Sequence, residues 1–428
     1  MRRPMLAVKF AGGGRDISAA KSGASNPRRA DPEGGGPTAL QPWYAGAMTT
    51  DHWLLFLGGC LLPAAILSYL GGFVMRRVAP RLGLVDQPGA RKVHTTPTPL
   101  GGGIAIAAGV LLPFVAGTIA VLVVRGSSGL EATLPGLVRE HLDGIVGQLG
   151  RLWLILGSAA TLAILGLIDD RRGLNWKLRL AVQFAAATLC VVCIPQLQLT
   201  AFLPIPGLTF ALSIFWIVAL VNAFNMLDNM DGLSAGIATI AATFLAAVLL
   251  LYPDPETARP QLFVAGLLLV LTGSLAGFLG HNLPPAKIFM GDAGSYFIGF
   301  LLACASLLAT YTGYHGETPH AILAPLFVFA VPWYDLLSVV WIRIRGGRSP
   351  FEADKNHFSH RLVELGFSKP IAVRVIYLVT AVCGLAAVLL HRTDRLGACF
   401  LTLLLFCLFG IVALLESTAR RTIRNRAK

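Results

Sequence analysis

The sequence predicts an all-α, polytopic integral membrane protein of about eleven transmembrane helices, with its N-terminus outside and its C-terminus in the cytoplasm. Three observations predict it. Apolar residues make up 55% of the chain and charged residues only 13%, whereas a soluble domain carries roughly a quarter of charged residues. Eleven apolar runs approach the roughly 20 residues that a helix needs to cross the hydrocarbon. Lys and Arg concentrate in the segments that follow odd-numbered runs, the asymmetry that keeps such segments in the cytoplasm.

The runs lie at approximately 53–75, 100–124, 152–168, 178–194, 208–224, 233–252, 262–280, 294–312, 321–342, 370–390 and 396–415. Glycine and proline inside them are compatible with membrane helices. Residues 1–47 are rich in Gly, Pro and Arg without periodicity and read as a disordered extension. No apolar stretch of a signal peptide precedes run 1, and the basic residues of 1–47 oppose the topology. Met48, immediately before run 1, is therefore the expected start of translation. Residues 48–416 form one transmembrane domain, and 417–428 form a basic cytoplasmic tail. The net charge of +13 is a topology signal with affinity for anionic lipid, and nucleic acid is not an expected partner. All seven cysteines fall inside apolar runs, so Cys190 and Cys193 read as packing and no disulfide framework follows. The last two runs carry no recognisable chemistry and are expected to serve packing or lipid contact.

Six polar islands interrupt the runs, at 86–94, 169–170, 222–231, 282–292, 343–354 and 357–360, and the topology puts all six on the cytoplasmic side. A proton- or cation-coupled transporter would place such groups near mid-membrane, among inverted repeats or broken helices, of which the runs give no sign. An enzyme working at the membrane surface collects them on one face. Asp169 and Asp170 end a helix at the negative pole of its dipole, where anions are disfavoured, so a polar helix end and a Mg²⁺ or proton-transfer site are both open readings. Asn222, Asn225, Asp228 and Asp231 recur every three residues, a slowly rotating helical stripe that should face a polar cleft rather than lipid. Gly291, Gly294 and Ser295 frame Asp292 at a helix N-terminus, where backbone N–H groups favour anions. Oxygen-ligated Mg²⁺ takes one or two carboxylates plus phosphate oxygens and water. The remaining islands supply Lys92, His94, Arg345, Arg348, His357 and His360 for phosphate contact or acid–base work.

With the islands in hand, the chain resembles the polyprenyl-phosphate N-acetylhexosamine-1-phosphate transferase family (glycosyltransferase family 4). That family includes undecaprenyl-phosphate N-acetylglucosamine-1-phosphate transferases and phospho-N-acetylmuramoyl-pentapeptide transferase. The resemblance spans roughly residues 53–365. It rests on Asp86-x-Pro-x-x-Arg-Lys-x-His94, Asp169-Asp170, Asn222-x-x-Asn-x-x-Asp-x-x-Asp-Gly232, Phe289-Met-Gly-Asp-x-Gly-Ser295 and Ser349-Pro-Phe-x-x-Asp-x-x-His357.

The resemblance implies a multi-pass enzyme of the bacterial inner membrane whose site faces the cytoplasm. A polyprenyl phosphate attacks the sugar-linked phosphorus of a UDP-N-acetylhexosamine, and UMP leaves. It further implies Mg²⁺, with Mn²⁺ as a substitute, held by Asp292 with Asp169 and Asp228. Asp169, Asp170, Asp228, Asp231 and His357 become the catalytic set, Asp169 deprotonating or positioning the lipid phosphate. Asn222, Asn225 and Asn282 become polar contacts of the nucleotide pocket, Phe289 a ring stacked on uracil, and Lys92, His94, Arg345, Arg348 and His360 substrate contacts. Membrane lipid and, as an assembly state, a homodimer complete the partners. The amino-sugar branch commonly has His where this chain has Ser359, and the pentapeptide branch usually shows a His-His-His run that is absent here. The motif context therefore favours the N-acetylglucosamine branch, with the pentapeptide enzyme as the alternative.

Overall fold

The computed structural model describes residues 49–87, 97–133, 136–199, 205–254, 259–311, 318–352 and 354–426. The expectations for residues 1–47 and for a start at Met48 lie outside the described residues. In chain order the helices are α1 (Thr50–Val78), α2 (Gly102–Arg125), α3 (Ser128–Thr133), α4 (Gly136–Arg172), α5 (Trp176–Cys193), α6 (Pro206–Leu227), α7 (Leu233–Leu251), α8 (Leu262–Asn282), α9 (Gly291–Leu308), α10 (Ala324–Val328), α11 (Ala330–Arg345), α12 (Phe358–Glu364), α13 (Lys369–Leu389) and α14 (Arg395–Arg426). A short antiparallel pair, β1 (Val85–Asp86) and β2 (Thr98–Pro99), precedes α2.

Among the described residues ten helices are long and apolar enough to cross a membrane, and an eleventh span results if one bent pair is counted. The all-α polytopic class is therefore borne out. Each of the eleven runs has its helix, with three departures. Helix α4 starts well before run 152–168, because Leu142, Ile145, Val146, Leu149 and Leu152 recur at helical spacing among polar residues that dilute the hydropathy. Helix α6 stops at Leu227 instead of carrying the polar stripe to Asp231. The ninth run is broken: Pro319–Val328 and Ala330–Arg345 meet at 64°. Pro332 has no N–H for the carbonyl of Val328 and its ring crowds that group, so the chain bends at the buried Phe329, whose ring packs edge-on to Trp216 and Phe224.

Helix α9 is the centre of the bundle. Of its most apolar window 83% is buried, against 6% for α14, and it packs against α4, α6 and α2. Close approach at its first turn depends on glycine. A Cβ on Gly166 of α4 would collide with the backbone of Asp292 and Ala293, and one on Gly103 of α2 would collide with Ala293 and Gly294. Along α4, by contrast, a Cβ on Gly157 meets nothing.

The loop from α11 to α12 is folded around one carboxylate. Asp354 pairs with Arg343 and with Arg348, each at 3.2 Å. It also accepts from the Asn356 amide at 3.1 Å and from Asn356 Nδ2 at 2.6 Å. Arg343 is buried and donates to the Pro350 carbonyl at 2.6 Å. Phe351 at the loop tip stacks on Trp176 of α5, ring centroids 4.1 Å apart. Burial alone would raise the Asp354 carboxyl, but the bonds from Arg343 and Asn356 outweigh it and hold it at about 2.

Two outcomes follow. Gly166→Ala should lower the thermal midpoint in detergent by the equivalent of about 1–3 kcal/mol, the usual effect of overpacking. Gly157→Ala should leave it unchanged or raise it, since alanine favours helix by about 1 kcal/mol; equal midpoints would refute the close-packing argument. Asp354 has a depressed pKa in the folded chain, so its contribution is fully present above the ordinary carboxylate range and is lost as pH falls from about 4 toward 2. Protection of the loop from trypsin, measured against an unfolded control at each pH, should stay constant between pH 7 and 5 in wild type. Asp354→Asn should make the loop cleavable at pH 7.

Candidate active site

Asp169 and Asp170 end α4, and a tight turn returns the chain at once. Gly173 adopts φ +65°, Asn175 caps α5 by accepting from the Lys177 amide, and Asp169 Oδ1 accepts from the Leu174 amide at 2.6 Å. One turn into α5, Arg179 Nη1 lies 2.7 Å from Asp169 Oδ2. Asp170 faces the other way. Its carboxylate accepts from the amides of Asp292 at 2.9 Å and Ala293 at 3.3 Å, the second and third of α9. The anion that this helix N-terminus favours is thus Asp170 itself. Gly291, at φ +73°, has no room for a side chain: a Cβ there would stand 2.5 Å from Asp170 Oδ2.

Asp292 points away from its own amides. Asn225 Nδ2 donates to its Oδ1 at 2.7 Å, and Tyr296 Oη to its Oδ2 at 3.3 Å. Tyr296 also reaches Asp169 Oδ2 at 3.2 Å, and Arg179 lies 3.5 Å from Asp292 Oδ2. Asp169 and Asp292 are therefore joined by one shared hydroxyl and one shared guanidinium. The sequence reading missed both. Tyr296 follows Asp292 by four residues on the same helix face, and Arg179 follows the capping Asn175 by four. Those spacings were the available signals, masked because both residues sit within apolar runs.

The stripe expected from 222 to 231 is only half helical. Asn225 faces the carboxylates, but Asn222 Nδ2 donates to Gln183 of α5 at 2.7 Å and to the Val218 carbonyl at 2.8 Å. Asp228 caps the end of α6, and Gly232 at φ +74° opens α7. Burial raises the Asp228 carboxyl to about 7, reinforced by the charges of Asp170 and Asp231, while the Gly291 amide works the other way. Asp231 Oδ2 accepts from the Ala286 amide at 2.9 Å. The buried Asn282 ties two loops, accepting from the Gly232 amide at 3.0 Å and donating to the Ile288 carbonyl at 2.9 Å. Tyr377 of α13 donates to the Gly232 carbonyl. A cavity of about 350 Å³ opens beside Asp231, walled by Pro284, Pro285, Lys369, Pro370 and Val373.

Phe289, partly buried, lies in a strand-like contact with Leu100; its amide donates to the Pro99 carbonyl and its carbonyl accepts from the Gly102 amide. Lys92 and His94 lie outside the described residues. Among the basic residues, Arg348 is engaged by Asp354 and Arg345 is exposed. His357 is buried, its Nδ1 2.9 Å from Asp335 Oδ2. Burial, with neighbouring His357 and Lys355, pushes His360 down to about 4, so it meets a ligand as a neutral imidazole at pH 7. Ser359 Oγ donates to Asn229 Oδ1 at 2.5 Å, which ties α12 to the turn carrying Asp228 and Asp231. The last span also contributes, against the expectation of packing or lipid contact alone. Glu416 of α14 is buried, pairs with Arg361 at 3.1 Å and accepts from Tyr334 at 2.9 Å.

Asp169 and Asp292 thus meet at Arg179, with Asp170 on the first turn of α9 and Asp228 at the end of α6 next to it. Such an excess of hard oxygen donors fits a divalent cation. Among the described residues no three acidic, imidazole or thiol groups surround one point. Mg²⁺ does not require that, since one or two carboxylates with water and phosphate oxygens complete its shell.

Residues 152–310 match the family model described as glycosyl transferase family 4. The chain is 34% identical to a decaprenyl-phosphate N-acetylglucosaminephosphotransferase of Mycobacterium tuberculosis, over 82% of this chain and 86% of the relative. It is 31% identical to a probable undecaprenyl-phosphate N-acetylglucosaminyl 1-phosphate transferase of Bacillus subtilis, over 79% and 86%. It is 29% identical to the undecaprenyl-phosphate alpha-N-acetylglucosaminyl 1-phosphate transferase of Escherichia coli K12, over 87% and 97%. With a site built from the motifs that the sequence singles out and relatives this similar across most of its length, the chain belongs to glycosyl transferase family 4, the polyprenyl-phosphate N-acetylhexosamine-1-phosphate transferases.

Proposed function

We propose that this protein transfers N-acetylglucosamine 1-phosphate from UDP-N-acetylglucosamine to a polyprenyl phosphate and releases UMP, at the cytoplasmic face of a bacterial inner membrane, as the initiating step of a cell-envelope glycan. The observation that carries the reading is the joined pair Asp169–Asp292, bridged by Arg179 and Tyr296 at the rim of a membrane bundle. The names of the relatives support the sugar and the lipid.

Two phosphate-bearing substrates repel each other, so the site must neutralise charge before the acceptor oxygen can reach phosphorus. Asp292 and Asp169 are the residues that would hold Mg²⁺, and the bound ion would supply that neutralisation. Arg179 lies against both and offers its remaining N–H groups to phosphate oxygens in the planar, forked arrangement suited to them. Tyr296 fixes the separation of the two carboxylates. Asp169 already accepts from Leu174, Arg179 and Tyr296. A carboxylate with three donors is a positioning group rather than a proton acceptor. A prenyl phosphate, with a second pKa of about 6, is mostly dianionic at neutral pH and needs little deprotonation. Asp228 and Asp231 border the nucleotide side, where the Asn282 bonds set the loop carrying Phe289.

Purified protein given UDP-N-acetylglucosamine, undecaprenyl phosphate and Mg²⁺ should release UMP, and a chelator should stop it until Mg²⁺ or Mn²⁺ is restored. Asp292→Asn should lower kcat by at least about 100-fold. Tyr296→Phe removes the one hydroxyl proton that Asp169 and Asp292 share, a hydrogen bond to a charged group contributing about 1.5–3 kcal/mol, and should lower kcat by at least about tenfold. UMP release with the muramoyl-pentapeptide nucleotide alone would move the chain to the peptidoglycan-precursor branch.

A further inference from the structure

Asp335, on α11, is a carboxylate with no exposed surface, six residues past the bend at Phe329. A buried carboxylate is tolerated only when its oxygens are hydrogen-bonded, and both are. Oδ1 accepts from the Phe358 amide at 2.6 Å, and Oδ2 lies 2.9 Å from His357 Nδ1. His357 is the N-cap of α12, but its own side chain caps nothing. Asp335 caps α12 from a neighbouring helix and grips the ring that precedes it.

The grip has a chemical consequence. A carboxylate facing Nδ1 keeps the proton on that nitrogen, so Nε2 becomes the ring's working atom. Nε2 makes no hydrogen bond among the described residues. Three further contacts fix where α12 stands. Ser359 bonds Asn229, in the turn that carries Asp228 and Asp231. Arg361 bonds Ser338, one turn beyond Asp335 on α11, at 2.8 Å, and it pairs with Glu416 of α14. The ring is therefore held in both tautomer and position beside the acidic turn.

We propose that Asp335 is a positioning residue for the transfer reaction: it holds His357 with Nδ1 protonated and presents the unprotonated Nε2 as an acceptor to a hydroxyl or N–H donor of the bound nucleotide sugar. This inference rests on the transferase reading above. A capping role alone would be indifferent to the tautomer of His357, and the two roles are separable because Asp335→Asn keeps an oxygen for the Phe358 amide while offering an NH₂ group to Nδ1.

The experiment compares wild type, Asp335→Asn, His357→Gln and the double variant for UMP release. Thermal midpoints in detergent establish folding, and ¹⁵N NMR of histidine-labelled protein reports the His357 tautomer. Asp335→Asn should keep the wild-type midpoint and lower kcat at least about tenfold, with KM for the UDP-sugar within about threefold. The double variant should be no slower than His357→Gln, because the two losses act through one ring. In the spectra the His357 proton should sit on Nδ1 in wild type and on Nε2 in Asp335→Asn. A kcat within twofold of wild type, or losses that multiply in the double variant, would overturn the inference while leaving the transferase reading intact. If wild type releases no UMP from either nucleotide, that reading fails instead, and a wild-type proton on Nε2 then sinks the positioning role on its own.

Discussion

The site depends on the carboxylate of Asp170 taking amides in the first turn of α9. A helix that begins inside a bundle leaves N–H groups without partners, and water is scarce at the foot of a membrane helix. Asp170 meets two of those amides from α4. Its negative charge, badly placed at the end of its own helix, is well placed against the positive end of the next. Once Asp170 occupies that position, Asp292 cannot fold back on its own helix start and turns toward Asn225 and Tyr296. The glycines at 103, 166 and 291 are the steric counterpart, since each removes a Cβ that would hold α9 away from its neighbours.

Most of the architecture was legible because the membrane imposes a coarse rule, and the eleven apolar runs correspond to ten membrane-length helices and one bent pair among the described residues. What the hydropathy hid is local. The first turns of α4 are amphipathic rather than apolar. The end of α6 is set by the turn closing on Gly232, and the break in the ninth span by Pro332 acting on a carbonyl four residues back. The acidic islands were legible because charge is conspicuous in so apolar a chain. Arg179, Tyr296 and Asp335 were not. Each is a single polar residue inside an apolar run, and its meaning comes only from which helix it meets. Asn222 and Asn282 show the converse: their polarity was plain from sequence, yet in the fold they tie backbone and helix together.

The histidine island belongs to the same site through contacts that sequence order conceals. Ser359 binds Asn229, between Asp228 and Asp231, so a position where related enzymes commonly carry histidine acts here as a short tether. Asp335 and Ser338, one turn apart on α11, meet His357 and Arg361, one turn apart on α12. Two helices thereby register against each other through polar pairs, in a region where apolar packing alone would permit sliding.

The pairing of Glu416 with Arg361 also bears on the order in which the protein is made. Helix α12 leaves the ribosome before α13 and α14, so Arg361 is made before the carboxylate that it pairs with. Until α14 arrives, a nearly buried guanidinium lacks its counter-charge, and the helix that bears His357 lacks one of its anchors. The last span, largely exposed along its apolar window, thus reaches back through one ion pair to the short helix that follows His357, so its final turns contribute more than lipid contact.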